Sequence, residues 1–250
     1  MNEFKLFAKH LAQVSGEIIN MYFRSGVAVA EKDDNSPVTI ADKKAEEILR
    51  LEIMKEFPDH GILGEEFGEH NPDAEYKWIL DPIDGTKSFI CGTVTFGTLI
   101  ALTYRGNPVL GVINQPVLGE FLIGDNESAE LNGVKVNVRE CNDISKAVLL
   151  TTDHFYMHKY QNGPAFDLLA KEAKIYRNWG DCYGYYLLAT GYADIMIDPI
   201  MHVWDSMAVI PVIRGAGGII TDINGNDPVK GDSIVAASPS LHDYVIKSLA

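Results

Sequence analysis

Residues 78–89 read Trp78-Ile79-Leu80-Asp81-Pro82-Ile83-Asp84-Gly85-Thr86-Lys87-Ser88-Phe89. The apolar run at the start has the character of a buried strand and delivers one aspartate at its end. Pro82 stiffens the turn, and Asp84 follows three residues after Asp81. Gly85-Thr86-Lys87-Ser88 then opens a segment whose first backbone N–H groups have no partners within it. Two carboxylates on one stiff turn beside an anion seat point to a divalent cation meeting a phosphate.

Upstream, Phe4, Phe7, Leu11, Val14, Ile18 and Met21 recur at helical spacing and predict one amphipathic helix that ends near Gly26. A polar stretch, residues 31–37, reads as a loop or hairpin tip. Thr39-Ile40-Ala41-Asp42 leads into a second helix with Ala45, Ile48, Leu49, Ile53 and Met54 as its apolar face, closed by Pro58. Gly61-Ile62-Leu63-Gly64 is a short strand running into Glu65 and Glu66, and residues 68–75 read as a loop. Downstream the pattern turns to β, with strands expected over 94–104, 109–115 and 120–124 and a hairpin signal at Asn132-Gly133. From about residue 144, strands and helices alternate at βαβ lengths. The chain therefore divides into a helix-plus-antiparallel-sheet half, residues 1–143, and an α/β half, residues 144–250, with no flexible linker.

A chain of 250 residues with 46% hydrophobic content can bury a real core. Its net charge of −14 argues against general binding to nucleic acid or an anionic membrane, although metals can still reconcile such a chain with an anionic substrate. Three cysteines, far apart and odd in number, suit reduced thiols in the cytoplasm. The N-terminal residues show no signal-peptide pattern, and no apolar run reaches membrane-spanning length. The expected location is cytoplasmic.

Phosphate monoesters resist hydrolysis strongly, so a phosphatase needs strong charge stabilisation. Hard cations such as Mg²⁺ take carboxylate and carbonyl oxygens. Asp81 and Asp84 offer two ligands, Glu65 ends a neighbouring strand, and Asp205 in His202-Val203-Trp204-Asp205 starts a helix in the other half. Singly, each has a blander reading as a turn former, a cap or a surface acid. As a set with Gly85-Thr86 following, they read as a site.

Three segments carry a resemblance: Gly64-Glu65-Glu66; Trp78 through Thr86; and Trp204-Asp205-Ser206-Met207-Ala208 with Gly215-Ala216-Gly217-Gly218. Together they resemble the inositol monophosphatase superfamily, whose members are Mg²⁺-dependent, lithium-sensitive phosphatases. The resemblance implies an α+β fold, a five-layer αβαβα sandwich of the inositol monophosphatase/fructose-1,6-bisphosphatase type, and a homodimer. It implies that Glu65, Asp81 and the main-chain carbonyl of Ile83 hold one metal, and that Asp81, Asp84 and Asp205 hold a second. A third, weaker ion leans on Glu65, and Mn²⁺ can substitute. Thr86, hydrogen-bonded to Asp42, helps activate the attacking water, and the N–H groups of Gly85 and Thr86 seat the phosphate.

The substrate signal lies further on. Lys87-Ser88-Phe89-Ile90 departs from the inositol-type pattern. Trp179-Gly180-Asp181-Cys182-Tyr183-Gly184-Tyr185 and Asp198-Pro199-Ile200-Met201-His202 look like the histidinol-phosphate phosphatase branch. In inositol-type members a Thr matches Asp181, and a Glu that contacts inositol hydroxyls matches Asp198. Carboxylates at Asp84, Asp181, Asp198 and Asp205 suit the ammonium of histidinol phosphate better than a neutral polyol. The blander reading makes Asp181 a helix cap and Asp198 a strand end. The competing substrates are inositol 1-phosphate and fructose 1,6-bisphosphate. A competing class is a non-catalytic partner of transcription machinery, which the intact metal set and the acidity weigh against.

Other candidates are weaker. His154 and His158, four apart, could bind zinc on a helix, but no third ligand is apparent, and they read as an exposed pair. His202 reads as a pocket-entrance residue and Lys32 as a surface lysine that could approach the metal site. Gly215-Ala216-Gly217-Gly218 follows a helix and precedes a strand, the reverse of a dinucleotide loop, so it reads as a helix-ending turn. Cys91 and Cys182 read as packing residues.

Overall fold

The computed structural model describes residues 1–31 and 37–250, so Lys32 lies outside the described residues. In chain order the first half forms α1 (Asn2–Tyr22), β1 (Val29–Glu31), β2 (Pro37–Thr39), α2 (Ile40–Glu56), β3 (Gly61–Gly64), β4 (Gly68–His70), β5 (Tyr76–Asp84), α3 (Thr86–Ile90), β6 (Gly97–Tyr104), β7 (Asn107–Gln115), β8 (Glu120–Gly124), β9 (Ala129–Leu131) and β10 (Val134–Val136). The second half forms β11 (Val148–Leu150), α4 (His154–Tyr160), α5 (Gly163–Glu172), β12 (Ile175–Arg177), α6 (Asp181–Ala189), β13 (Ile195–Asp198), α7 (Val203–Gly215), β14 (Ile219–Thr221), β15 (Ile234–Ala237) and α8 (Pro239–Leu249).

Period-two alternation builds the layers. On the eight-stranded sheet, ordered β10-β9-β8-β7-β6-β5-β3-β4, Trp78, Leu80, Ile100, Leu102 and Val112 pack under α1 and α2. Their neighbours Ile79, Leu99, Ala101 and Ile113 face the opposite way, onto α6 and α7. The five-stranded sheet, ordered β12-β11-β13-β15-β14, repeats the device. Leu150, Met196 and Ala236 join the middle core, while Leu149, Ile195, Ile197 and Val235 face α5 and α8. The result is the five-layer αβαβα sandwich. Helix α7 is apolar nearly all round, with Val209, Ile210, Val212 and Ile213 buried, as a helix between two sheets must be. Among the described residues no helix is long and apolar enough to cross a membrane.

Four local expectations change. The buried stripe of α1 is Ala8, Leu11, Ala12, Ser15, Gly16 and Ile19, and Met21 is 70% exposed. Small residues let α1 lie close on the sheet, while Phe4 and Phe7 reach past it to Phe57 and Trp78. Part of the expected loop at 68–75 is β4, paired antiparallel to β3 as an exposed edge. Helix α4 was not signalled by periodicity, yet Asp153 caps it by accepting from the Phe155 N–H at 2.9 Å. Finally, the second sheet is not wholly βαβ. β11 is parallel to β12 and β13, but β15 is antiparallel to both β13 and β14. β15 inserts antiparallel between β13 and β14, the two strands that α7 joins. The Asn132-Gly133 hairpin forms as expected, with φ of 51° and 80° and Leu131 facing Val134.

One contact sets where Glu65 stands. Glu46 of α2 is fully buried and accepts from the backbone N–H groups of Glu66 (2.7 Å) and Phe67 (3.2 Å) and from Arg50 Nη1 (3.1 Å). A Cβ on residue 64 would lie 2.0 Å from Glu46 Oε1, so Gly64 is what lets the carboxylate reach the turn after β3. Replacing Glu46 with Ala removes the buried acceptor shared by Arg50, which keeps its bond to the Gly68 carbonyl (2.9 Å), and by two backbone donors, and is expected to cost about 3 kcal/mol in chemical denaturation. Glu46→Gln, which keeps an acceptor, is expected to cost less. A Glu46→Ala midpoint equal to that of the parent chain would remove this role.

Candidate metal and phosphate site

Residues three apart on a regular strand point to opposite faces. Asp81 and Asp84 do not, because β5 is irregular there. Asp81 pairs with Leu99 and Asp84 with Gly97, so three steps on β5 match two on β6. The extra residue resets the alternation. Oxygens of Asp81, Asp84 and Asp205 then lie within 4.8 Å of one another. Each carboxylate is held by backbone. Asp81 accepts from the Ile83 N–H (3.0 Å), Asp205 from the His202 N–H at the start of α7 (2.8 Å), and Asp84 from the Cys182 N–H at the start of α6. These acids and Glu65 line a cavity of about 390 Å³.

Gly85 turns the chain with φ of 84° into α3, and Gly85 and Thr86 both line the cavity. The Thr86 hydroxyl lies 3.1 Å from the Ile83 carbonyl oxygen and 3.5 Å from Asp42 Oδ1. Asp42 does not line the cavity. It is buried behind Thr86, where its other oxygen accepts from the Thr39 N–H (2.8 Å) and hydroxyl (2.6 Å).

Asp181 does not cap α6, since Gly180 occupies the cap position. It takes φ of 49°, and a Cβ on Gly85 would lie 3.0 Å from Asp181 Oδ2, so this carboxylate faces the Gly85 turn directly. The Asp181 N–H donates to Thr152 Oγ1 (2.8 Å), and the Thr152 N–H donates to Asp198 Oδ1 (3.1 Å). The second Asp198 oxygen accepts from the Tyr185 hydroxyl (2.9 Å). Asp198 therefore reaches the cavity wall with both oxygens engaged, and it anchors the loop that carries Asp181.

His202 lines the cavity and stacks on Trp204, with ring centroids 4.9 Å apart. Cys182 is buried, and it contributes through its backbone N–H as well as through packing. Cys91 is exposed. Gly215-Ala216-Gly217-Gly218 is the turn from α7 to β14. The reading of His154 and His158 as a pair without a third ligand needs correction. Asp167 Oδ1 lies 3.0 Å from Nε2 of each, brought there by α5 packing beside α4. Glu46, Thr152 and Tyr156 were not singled out by the sequence, and Tyr185 entered only as the last residue of the Trp179–Tyr185 stretch. Glu46 left a trace, as a charge set between Ala45 and Leu49 on a buried stripe.

Crowded, buried acids repel one another. Burial and then Glu65, Asp84, Asp205 and Asp42 push the Asp81 carboxyl well above the usual range. Burial, Asp181 and Asp205 do the same to Asp84, opposed by the Cys182 N–H. Burial, followed by neighbouring acids, pushes Asp181 up to about 7. Asp205 also rises to about 7 through burial, opposed by the His202 N–H. An oxygen-only donor set with unneutralised repulsion fits a hard divalent cation. Without a cation, these four carboxyls keep protons in the fold that they lose in the unfolded chain between about pH 4 and 7, so the stability they contribute is lost as pH rises through that window. The melting temperature of chelator-treated protein is expected to fall from about pH 5 to about pH 7.5, and added Mg²⁺ is expected to restore it most at the upper end. A flat or rising profile in chelator would contradict this.

A family model described as the inositol monophosphatase family matches residues 1–250. The relative named bifunctional phosphatase IMPL2, chloroplastic, from Arabidopsis thaliana is 44% identical over 263 residues, covering 100% of this chain and 75% of the relative. Histidinol-phosphatase of Chlorobaculum parvum is 40% identical over 245 residues, 97% of this chain and 95% of that one. Nus factor SuhB of Pasteurella multocida is more distant, at 28% identity over 261 residues, 100% of this chain and 96% of that one. The solved structure of an inositol monophosphatase from Zymomonas mobilis matches with a TM-score of 0.89 at 35% identity, covering 99% of this chain and 98% of that one. The chain belongs to the inositol monophosphatase family, and with it to the metal-dependent phosphomonoesterases.

Proposed function

We propose that this chain hydrolyses L-histidinol phosphate to L-histidinol and phosphate with Mg²⁺, a step of histidine biosynthesis. The observation that carries the substrate reading is the Asp181 carboxylate. It faces Gly85 beside the metal-binding acids and is tied through Thr152 to Asp198. A primary ammonium near the ester oxygen would find a charged acceptor there. The 40% identity with the histidinol-phosphatase of Chlorobaculum parvum, along almost the full length of both chains, supports the same reading. Tyr156, His202 and Trp204 line the same cavity and offer ring surfaces to an imidazole. The match to an inositol monophosphatase structure favours inositol 1-phosphate as the second substrate to test.

Glu65, Asp81 and the Ile83 carbonyl would hold one ion, and Asp81, Asp84 and Asp205 another, with Glu65 leaning on a weaker third. Bound cations supply Lewis acidity toward the attacking water and charge neutralisation at the leaving oxygen. Gly85 and Thr86 would seat the phosphate through their N–H groups. The Thr86 hydroxyl, backed by Asp42, would orient the water. Burial raises the Asp42 carboxyl above its ordinary range, opposed by hydrogen bonds from Thr39, which suits it to receive the proton. Attack is in line, with no phospho-enzyme. A homodimer is part of the proposal, and sedimentation measures it directly.

Phosphate release with Mg²⁺ from histidinol phosphate, inositol 1-phosphate and fructose 1,6-bisphosphate tests the substrate, and a preference for inositol phosphate would sink it. Asp181→Asn is expected to raise KM for histidinol phosphate by about tenfold or more while sparing inositol phosphate, since a charged hydrogen bond contributes about 1.5–3 kcal/mol. Asp84→Asn is expected to lower kcat by roughly a hundredfold or more. Retained turnover in that variant would remove Asp84 from the ligand set.

A further inference from the structure

A second cluster of ligand-type side chains lies outside the phosphatase cavity. His154 and His158 share one face of α4, and Asp167 meets them from α5. Asp167 Oδ1 sits 3.0 Å from each Nε2, and one ligand atom from each of the three residues lies within 4.8 Å of the others. A tetrahedral zinc ion with bonds of about 2.0–2.1 Å has ligand–ligand edges of about 3.3 Å, so the two histidine–aspartate edges need only a small outward shift. All three side chains are part-exposed, at 33%, 42% and 34%, which leaves an entry path and room for a water as fourth ligand.

The surroundings also suit a metal site. His154 Nδ1 lies 2.8 Å from the Tyr176 hydroxyl. A proton on Nδ1 leaves the Nε2 lone pair aimed at Asp167, the arrangement that orients metal-ligating histidines. The Tyr176 phenol, pushed up to about 12 chiefly by burial, stays neutral and cannot compete as a ligand. At the start of α5, a Cβ on Gly163 would lie 2.4 Å from His158 Nδ1. The bare glycine lets that ring lie against the backbone with Nε2 turned outward.

We propose that His154, His158 and Asp167 form a separate site for a borderline transition-metal ion, Zn²⁺ foremost, that clamps α4 to α5. The clamp bears on the cavity, because Asp153 and Tyr156, flanking and within α4, line its wall. The ion holds that wall in place without taking part in hydrolysis.

The test uses the untagged full-length protein, with excess Mg²⁺ occupying the carboxylate site. In equilibrium dialysis the parent chain is expected to retain about one Zn²⁺ more than His158→Gln or Asp167→Asn, and Asp84→Asn is expected to retain that same ion. Tyr176→Phe is expected to weaken it by about tenfold, an effect that a mere surface ion pair would not show. The zinc absorption edge is expected to carry imidazole scattering, and Zn²⁺ is expected to slow hydrogen exchange in α4. Equal zinc binding in the parent and His158→Gln, or an all-oxygen zinc environment, overturns the proposal. Melting curves identify any variant that fails to fold. Because both histidine and aspartate variants are read on zinc uptake rather than turnover, failure here leaves the phosphatase reading standing, and the reverse also holds.

Discussion

Repulsion among buried carboxylates is the constraint on which the rest of this structure depends. Asp81, Asp84 and Asp205 are brought together from two halves of the chain, with Glu65 and Asp181 adding negative charge at the rim. Left alone, such a cluster would push its segments apart. The fold resists by giving each acid a backbone donor, and those donors come from different elements: Ile83 in β5, Cys182 in α6 and His202 before α7. The middle core, where α6 and α7 lie between two sheets, is the frame that keeps those donors still. Its apolar burial opposes the electrostatic strain.

Much of this was legible in the sequence, for identifiable reasons. The strands near Asp81 are continuous apolar runs bounded by turn residues, so their existence and their burial on both faces follow from composition and length. The turn residues around Asp84 and Gly85, and the hairpin at Asn132-Gly133, carry their geometry in local chemistry. Less visible were features set by packing between distant segments. The stripe of α1 is decided by how closely the helix lies on β7 and its neighbours, which residue spacing cannot tell. The antiparallel placement of β15 between β13 and β14 is a pairing that no local pattern marks.

The site divides in the same way. Asp81, Asp84, Gly85 and Thr86 are neighbours in sequence, so their pattern announces itself. Glu46 and Thr152 act through backbone groups of remote loops, and no local pattern marks a side chain that serves a distant N–H. Asp198 shows the limit from the other side. Its chemistry stood out in the sequence, but only the structure shows that both oxygens already bind Thr152 and Tyr185. Asp167 illustrates it again, since it stands on a different helix from His158, yet the two side chains touch.

The irregularity in β5 has a further reach. β5 pairs with β6 residue for residue from Tyr76 to Asp81, and beyond the extra residue the pair Asp84–Gly97 closes the ladder. A straight β5 with the same two acids three steps apart would send one of them to the opposite side of the sheet. One irregular step, rather than the length or the packing of the strand, therefore decides that both acids look the same way.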